Sequence, residues 1–250
     1  MTVSYYSEKF QVPFFECDAQ GTMHLSALMD HLVLASEHQL QEFGAGPTQL
    51  AAMALGWVTT EYQIEIERLP RQHEFVTAKT GVPQFNKFFC YRDYFLLDEH
   101  SHPIVTVHSI WVIMSFATRR MIQLPVAELH LDACSDYSAT VVRFPKLVKR
   151  DWTAVDYQKD YQVRYFDIDS NRHVNNVHYF DWMLDSLPGD FLRDHQISTM
   201  LIRYERETRY GENIVSQTQL TETPALTTAH RITRGTEVAA EADVTWQKRS

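Results

Sequence analysis

Hydrophobic and polar positions alternate along the first third of the chain and then shift to a helical period. Residues 9–16 alternate as a strand through Phe10, Val12 and Phe14. Cys17-Asp18-Ala19-Gln20-Gly21-Thr22 makes a turn. From Ser26 to Phe43 apolar residues recur at helical spacing (Leu28, Leu32, Ala35, Leu40), and Gly44 and Gly46-Pro47 close that helix. Alternation returns at 57–69, 76–82, 87–97 and 104–115, which predicts four strands, with Asp98-Glu99-His100-Ser101 as a hairpin loop. Residues 124–156 hold no sustained period and contain Pro125 and Pro145, the pattern of a linker.

The pattern then repeats. An offset of 151 residues sets FQVPFFECDAQ (10–20) on YQVRYFDIDSN (161–171), and matches Gln11 to Gln162, Val12 to Val163, Phe15 to Phe166, Asp18 to Asp169 and Asp30 to Asp181. A helix from Val174 and strands near 199–208, 213–221, 226–233 and 237–247 complete a second copy, with Trp111 and Trp246 each near the end of a last strand. A strand, a helix and a four-stranded meander, present twice, predict two lobes, each a sheet wrapped on a helix. Each sheet alone leaves open edges that side-by-side pairing covers. The expected boundaries are 1–130 for the first lobe, 131–156 for the linker and 157–250 for the second lobe.

The two copies differ in chemistry. Asn171, His173, Asn175 and Asn176 stand where the first copy has Gln20, Thr22, His24 and Leu25. Polar, titratable side chains at a strand-to-helix junction suit catalysis, because unsatisfied N–H groups at a helix start attract developing negative charge. The competing reading is an Asp/Asn-rich turn that caps a helix. By the same weighing Asp167 is a turn carboxylate, and Asn175 and Asn176 cap or support the loop. His24, His31 and His38, at seven-residue spacing, form a helical face without the partners of a metal site. Cys17 and Cys90 are small apolar residues.

Composition narrows the function. The 250 residues carry a net charge of −9, against a nucleic-acid binder. There are 8 glycines and neither GxxxxGK[ST] nor GxGxxG, against a nucleotide enzyme. Three cysteines (Cys17, Cys90, Cys134) without a CxxC pair suit reduced thiols in a cytoplasm. No run approaches a membrane span. The opening MTVSYYSEKFQVPFF has neither basic nor apolar leader regions, so no signal or transit peptide is expected.

One stretch is specific. DSNRHVNNVHY (169–179) resembles the DxNxHVNN signature of acyl-ACP thioesterases, which release fatty acids from acyl carrier protein. GWVTTEYQIEIERLPR (56–71), SIWVIMSFATRRMIQLP (109–125) and RYERETRYGE (203–212) resemble further family segments in the same order. The resemblance implies an α+β double hotdog fold and a catalytic set at Asp169, Asn171, His173 and Glu207. It implies no cofactor and no metal. The partner it implies is acyl carrier protein, with no nucleic acid and no membrane; two lobes in one chain make a monomer sufficient and leave a homodimer open. Without a transit peptide, the implied member is bacterial and cytoplasmic. Many plant members have a cysteine after the equivalent of Glu207; Thr208 stands here, so water is expected to attack directly. Either Glu207 is the base with His173 and Asn171 holding water, or His173 is the base with Glu207 orienting it. Asp169 orients the imidazole or the loop, and N–H groups at the start of the following helix are the candidate oxyanion donors. Rival readings are an acyl-CoA thioesterase of the same architecture, a hotdog dehydratase and a non-catalytic acyl-binding protein. An acidic carrier would need a basic face, for which Arg119-Arg120 and Arg143, Lys146, Lys149 and Arg150 are candidates. The acyl pocket would draw on Met29, Leu32, Met53, Trp57 and Phe89.

Overall fold

The computed structural model describes residues 3–169 and 173–249, without the side chains of 133 and 134. Strands β1 (Tyr5–Gln11), β2 (Leu55–Ile66), β3 (Phe75–Phe85), β4 (Cys90–Leu97), β5 (Pro103–Ser115) and β6 (Arg120–Ile122) belong to the first half, with helices α1 (Leu25–Glu42) and α2 (Pro47–Ala52). The connecting segment carries α3 (Leu131–Cys134) and β7 (Asp136–Tyr137). The second half comprises β8 (Tyr157–Gln162), α4 (Val177–Leu184), α5 (Gly189–Asp194), β9 (His195–Tyr204), β10 (Asn213–Thr221), β11 (Thr227–Arg234) and β12 (Glu237–Lys248).

One antiparallel path runs β1-β3-β4-β5-β2-β9-β12-β11-β10-β8. Its two halves are mirror-ordered about the β2–β9 junction, where Gln63 faces Leu201. These are the two sheet-on-helix lobes expected from the repeat, arranged as the double hotdog that the resemblance implies: each half-sheet closes its inner edge on the other. β6 extends β5, and β7 pairs with β3 in parallel, so the irregular linker lies along the first half-sheet.

α1 buries Leu25, Leu28, Met29, Leu32, Ala35 and Leu40, one stripe at helical spacing, against β1, β3, β4 and α4. Gly44, at φ +70°, lets the chain turn back so that Ala45 N–H reaches Leu40 O. α4 buries Val177, Tyr179, Phe180, Trp182 and Met183, and the two helices share one apolar core. The expected strand over 9–16 begins and ends earlier. Pro13 has no N–H for a ladder, and Phe14–Glu16 turn as a 3-10 helix whose Phe14 and Phe15 face solvent. The expected helix from Val174 is shorter, because Pro188 separates α4 from α5.

The evenly spaced histidines tie α1 down. His31 Nε2 lies 2.8 Å from Glu16 Oε2 with its ring stacked on Phe10, and His38 Nδ1 lies 2.6 Å from Glu8 Oε2. In the second half, buried His230 of β11 bridges Thr218 Oγ1 (2.9 Å) and Thr228 Oγ1 (2.7 Å), and Trp246 Nε1–H donates to Thr228 Oγ1. No described helix is long and apolar enough to cross a membrane.

Candidate active site

The candidate loop is built from β8 onward. After Gln162 the chain buries Val163 and makes a 3-10 turn at Tyr165–Asp167. The buried Asp167 carboxylate accepts the Arg164 N–H at 2.7 Å and the Arg164 guanidinium at 2.7 Å. Burial pushes this carboxyl up, but the Arg164 side chain and N–H outweigh it and hold it below the usual range. Asp167 is therefore a structural turn residue. Its backbone oxygen accepts Asn175 N–H, Asp169 N–H donates to His173 O, and Ile168 bridges Val174. These bonds hold Asp167–Asp169 against His173–Asn175. Asn171, with Ser170 and Arg172, lies outside the described residues.

Glu207 approaches from the segment that follows β9. Glu205 and Arg206 N–H donate to Ala239 O, Val174 N–H donates to Thr208 O, and Gly211 N–H donates to Val163 O. Arg234 reaches Glu207 O at 3.3 Å while gripping Glu212 and Glu237. The backbone at 207 is thus tied both to the candidate loop and to the sheet.

His173 and Glu207, more than thirty positions apart in sequence, meet here. His173 Nδ1 is shielded from solvent and lies 3.3 Å from Glu207 Oε2, within ion-pair reach but off the line of a hydrogen bond. The imidazole is 23% exposed, so its accessible surface lies away from Nδ1. The same Glu207 oxygen forms a short ion pair with Arg119 Nη2 from the turn between β5 and β6. Arg119 is the site residue that sequence reasoning did not place: its side chain comes from the other half of the molecule, and nothing in its local sequence points to Glu207. Asp169 sits at the loop's start, and its charge adds to the burial that raises Glu37 of α1.

Five of the expected oxyanion donors are otherwise employed. N–H groups of Val174, Asn175, His178 and Tyr179 bond to Thr208 O, Asp167 O, Asn175 O and Asn176 O, and Val177 N–H bonds to Asn175 Oδ1. The helix starts at Val177, beyond the loop, so its first turn is capped from within. Asn175 also donates to Asp30 of α1 at 3.3 Å, a support role between the halves, and Asn176 O accepts the Tyr204 hydroxyl. Between α1 and α4 runs an open groove of about 420 Å³ that includes Asp30 and Asp181, both carboxyls pushed up by burial. Among the described residues no group of three or more His, Cys, Asp or Glu could hold a metal.

Thr208 is fully buried, and its hydroxyl lies 2.8 Å from the Tyr179 hydroxyl. That contact leaves it no path to a substrate. Thr208→Val is expected to keep turnover within about threefold of wild type while lowering stability by about 1 kcal/mol, the net worth of the lost hydroxyl–hydroxyl bond, since the Thr208 backbone still bonds the Tyr179 hydroxyl. Steady-state rates and urea midpoints measured side by side check both halves.

The repeat extends to this geometry. Val12 N–H donates to Glu74 O as Val163 N–H does to Glu212 O; Asp18 N–H donates to Thr22 O as Asp169 N–H does to His173 O; Met23 N–H donates to Pro70 O as Val174 N–H does to Thr208 O. The matched acceptors Pro70 and Thr208, and Glu74 and Glu212, stand 138 residues apart, which puts Leu69 where the second half has Glu207. The first half therefore lacks both the histidine and the carboxylate. Its loop is filled instead by Arg249, from the end of β12, which bonds Asp18 Oδ2 (2.9 Å), Gln20 Oε1 (2.7 Å) and Thr22 Oγ1 (3.3 Å).

Fold and site together define a double-hotdog protein whose second half brings His173 against Glu207. The chain belongs to the acyl-ACP thioesterase family: the family's N-terminal domain model matches residues 3–129 and its C-terminal domain model matches 151–248. It resembles a Lactobacillus plantarum protein described as an oleoyl thioesterase, with 36% identity and a TM-score of 0.94 over 99% of this chain and 98% of that one. The 12:0-ACP thioesterase of Umbellularia californica shares the fold at 21% identity, with a TM-score of 0.87 over 98% and 94% of the two chains. The chloroplastic palmitoyl-acyl carrier protein thioesterase of Gossypium hirsutum is 29% identical over 214 residues, 81% of this chain and 52% of that one. The chain spans about half the length of the curated relatives it matches.

Proposed function

We propose that this protein hydrolyses the thioester of fatty acyl-acyl carrier protein to a free fatty acid and the carrier's thiol. The observation that carries the reading is the approach of His173 Nδ1 to Glu207 Oε2 in a chain of this family. Water adds to the thioester carbonyl, its proton passes to the base, and the carbon–sulfur bond breaks as the thiolate leaves. A thiolate is a good leaving group, since a cysteine-like thiol has a pKa of about 8.5. The demand is therefore on activating water.

Of the two divisions of labour, the geometry favours His173 as base. Its Nδ1 faces the carboxylate and its accessible edge is turned outward, while the Glu207 oxygen is already engaged by Arg119. Glu207 then orients the ring and balances the imidazolium that forms. Asp169 and Asn171 complete the proposed set, Asp169 through its place at the loop's base.

The same proposal assigns the acyl chain to the first lobe (1–130), joined by the linker 131–156 to the catalytic lobe (157–250). The second apolar cluster there, with Leu40, Leu50, Leu55, Val82, Phe85 and Ile113 and with Trp57 against it, supports this. Met29 and Leu32 sit in the main core instead, and Met53 is largely exposed. Arg120, Arg143, Lys146 and Lys149 are exposed and available to an acidic carrier, whereas Arg150 is paired with Asp243. The free thiol of Cys17 accords with a cytoplasmic setting. One chain brings His173 and Glu207 together, so the reading needs no second copy and is compatible with a homodimer.

The test is to incubate the protein with a ladder of acyl-carrier thioesters, and in parallel with the matching acyl-CoA esters, and to quantify released fatty acids. Preferential release from the carrier is expected. Release only from CoA would move the substrate class, and release from neither would overturn the reading.

A further inference from the structure

The first lobe contributes a side chain to the second lobe's centre. Arg119 stands in the turn that links β5 to β6, with φ +52° and its N–H bonded to Ser115 O. Its guanidinium crosses the boundary between lobes to the same Glu207 oxygen that faces His173. The degenerate loop of the first lobe is matched in the opposite sense. There Arg249, from the end of the second lobe's last strand, enters the loop at Asp18, Gln20 and Thr22. Each lobe thus sends an arginine from the end of its last long strand into the partner lobe's loop. Where the loop has lost its histidine the arginine fills it; where the histidine remains, the arginine meets the carboxylate instead.

We propose that Arg119 is a positioning residue for the Glu207–His173 pair, so that the catalytic unit spans both lobes. The inference rests on the hydrolase reading of this site. A carboxylate that is over a third exposed and carried on a loop has several rotamers open to it, and only some of them face His173. Glu207's backbone is fixed from Arg234 and the catalytic loop, but those bonds leave its side chain free to turn. The guanidinium selects the rotamer in which Oε2 lies between Arg119 and Nδ1. The contact is made by one guanidinium nitrogen, Nη2, to Oε2, and the permanently charged guanidinium sets where that oxygen lies. The left-handed backbone at 119, unusual for a residue with a Cβ, is what the tight turn imposes there.

Such a residue acts on turnover and not on substrate capture. Arg119→Gly is the informative variant, because glycine keeps the left-handed turn without strain and removes only the side chain. It is expected to lower kcat about 10- to 100-fold with KM changed by less than about threefold, the size of effect that follows from misplacing a reacting group by an ångström. The loss should appear equally on acyl-carrier protein and on a small acyl-N-acetylcysteamine thioester. Arg119→Lys should recover part of kcat, and added guanidinium ion should recover part of it in Arg119→Gly. In a Glu207→Gln background, Arg119→Gly should cost nothing further, since the arginine acts through that carboxylate.

A loss confined to carrier-borne substrate and expressed as KM would make Arg119 a docking residue and overturn the proposal. So would full additivity with Glu207→Gln, or a kcat for Arg119→Gly within about twofold of wild type while Glu207→Gln is inactive. Absence of hydrolysis by the wild-type protein, on both substrates, would instead sink the reading of the site on which this inference stands.

Discussion

Glu207→Gln and His173→Ala are each expected to lower kcat by about 10²–10⁴-fold, the range supplied by a positioned acid–base group. The isosteric glutamine keeps the shape at 207 and removes the charge that Arg119 and His173 share. It also presents an amide N–H₂ where an imidazole N–H should donate. The alanine at 173 removes the ring whose outward edge would take the proton from water. Because the two groups work as one unit, the double variant should be no worse than the more damaged single variant by more than about threefold. The separation of roles lies in the response to pH. If His173 is the base, activity of Glu207→Gln should persist at a low level and still follow the titration of one group, whereas His173→Ala should lose that limb of the pH profile. Near-normal turnover in either variant would remove that residue from the scheme. Neither substitution should unfold the protein, since both side chains are partly exposed and lie outside the main core.

Much of this arrangement was legible in the sequence, for identifiable reasons. The strand periods and the α1 stripe are carried by burial on one face, which writes a strong alternation. The offset of 151 was visible because the segment from β1 to the catalytic loop has the same length in both halves. After the helices that register fails. The first half spends 18 residues on α1 and adds α2, while the second breaks its helix at Pro188 after an 8-residue α4. The offset beyond the helices is therefore 138, and Leu69 as the counterpart of Glu207 could be found only from the matched backbone bonds. Glu207 itself, in ERETRYGE, has the look of a surface residue and was singled out by family resemblance alone. The apolar period runs on to Val174, whereas the helix begins three residues later at Val177; bonds to Thr208 O and Asp167 O take up the N–H groups of Val174 and Asn175, which local pattern does not show. Arg119 was read as surface charge for docking. A contact across 88 residues, made by a hairpin turn of one lobe to a loop of the other, leaves no trace in local pattern.

The largest expected effect on stability comes from a residue remote from the chemistry. His230 is completely buried in β11, and burial pushes its imidazole down to about 3, with a hydrogen bond at Met183 opposing the shift only weakly. Its two ring nitrogens face the hydroxyls of Thr218 and Thr228, which can donate to or accept from a neutral ring but offer no charge to balance a cation. The unfolded chain binds a proton at this histidine near pH 6.5, and the folded chain does not until about pH 3. Between those values the unfolded state carries the extra proton, so stability rises with pH; it is fully present above about 6.5 and is lost on acidification. At about 1.4 kcal/mol per unit of separation, the loss reaches the order of 4 kcal/mol by pH 3, a large share of a typical domain's 5–15 kcal/mol. His230→Gln is expected to be less stable than wild type at pH 7, because the Thr218–His230–Thr228 bridge is broken, yet to lose less on acidification. Urea unfolding at pH 7, 5.5 and 4 should give a wild-type slope steeper than the variant's by about 1 kcal/mol per pH unit between 5.5 and 4. Carboxylates such as Asp167, held down in the folded state, contribute equally to both proteins and drop out of that difference. Parallel slopes would mean that His230 takes up its proton while still folded, and the buried hydroxyl bridge would then have to accommodate an imidazolium.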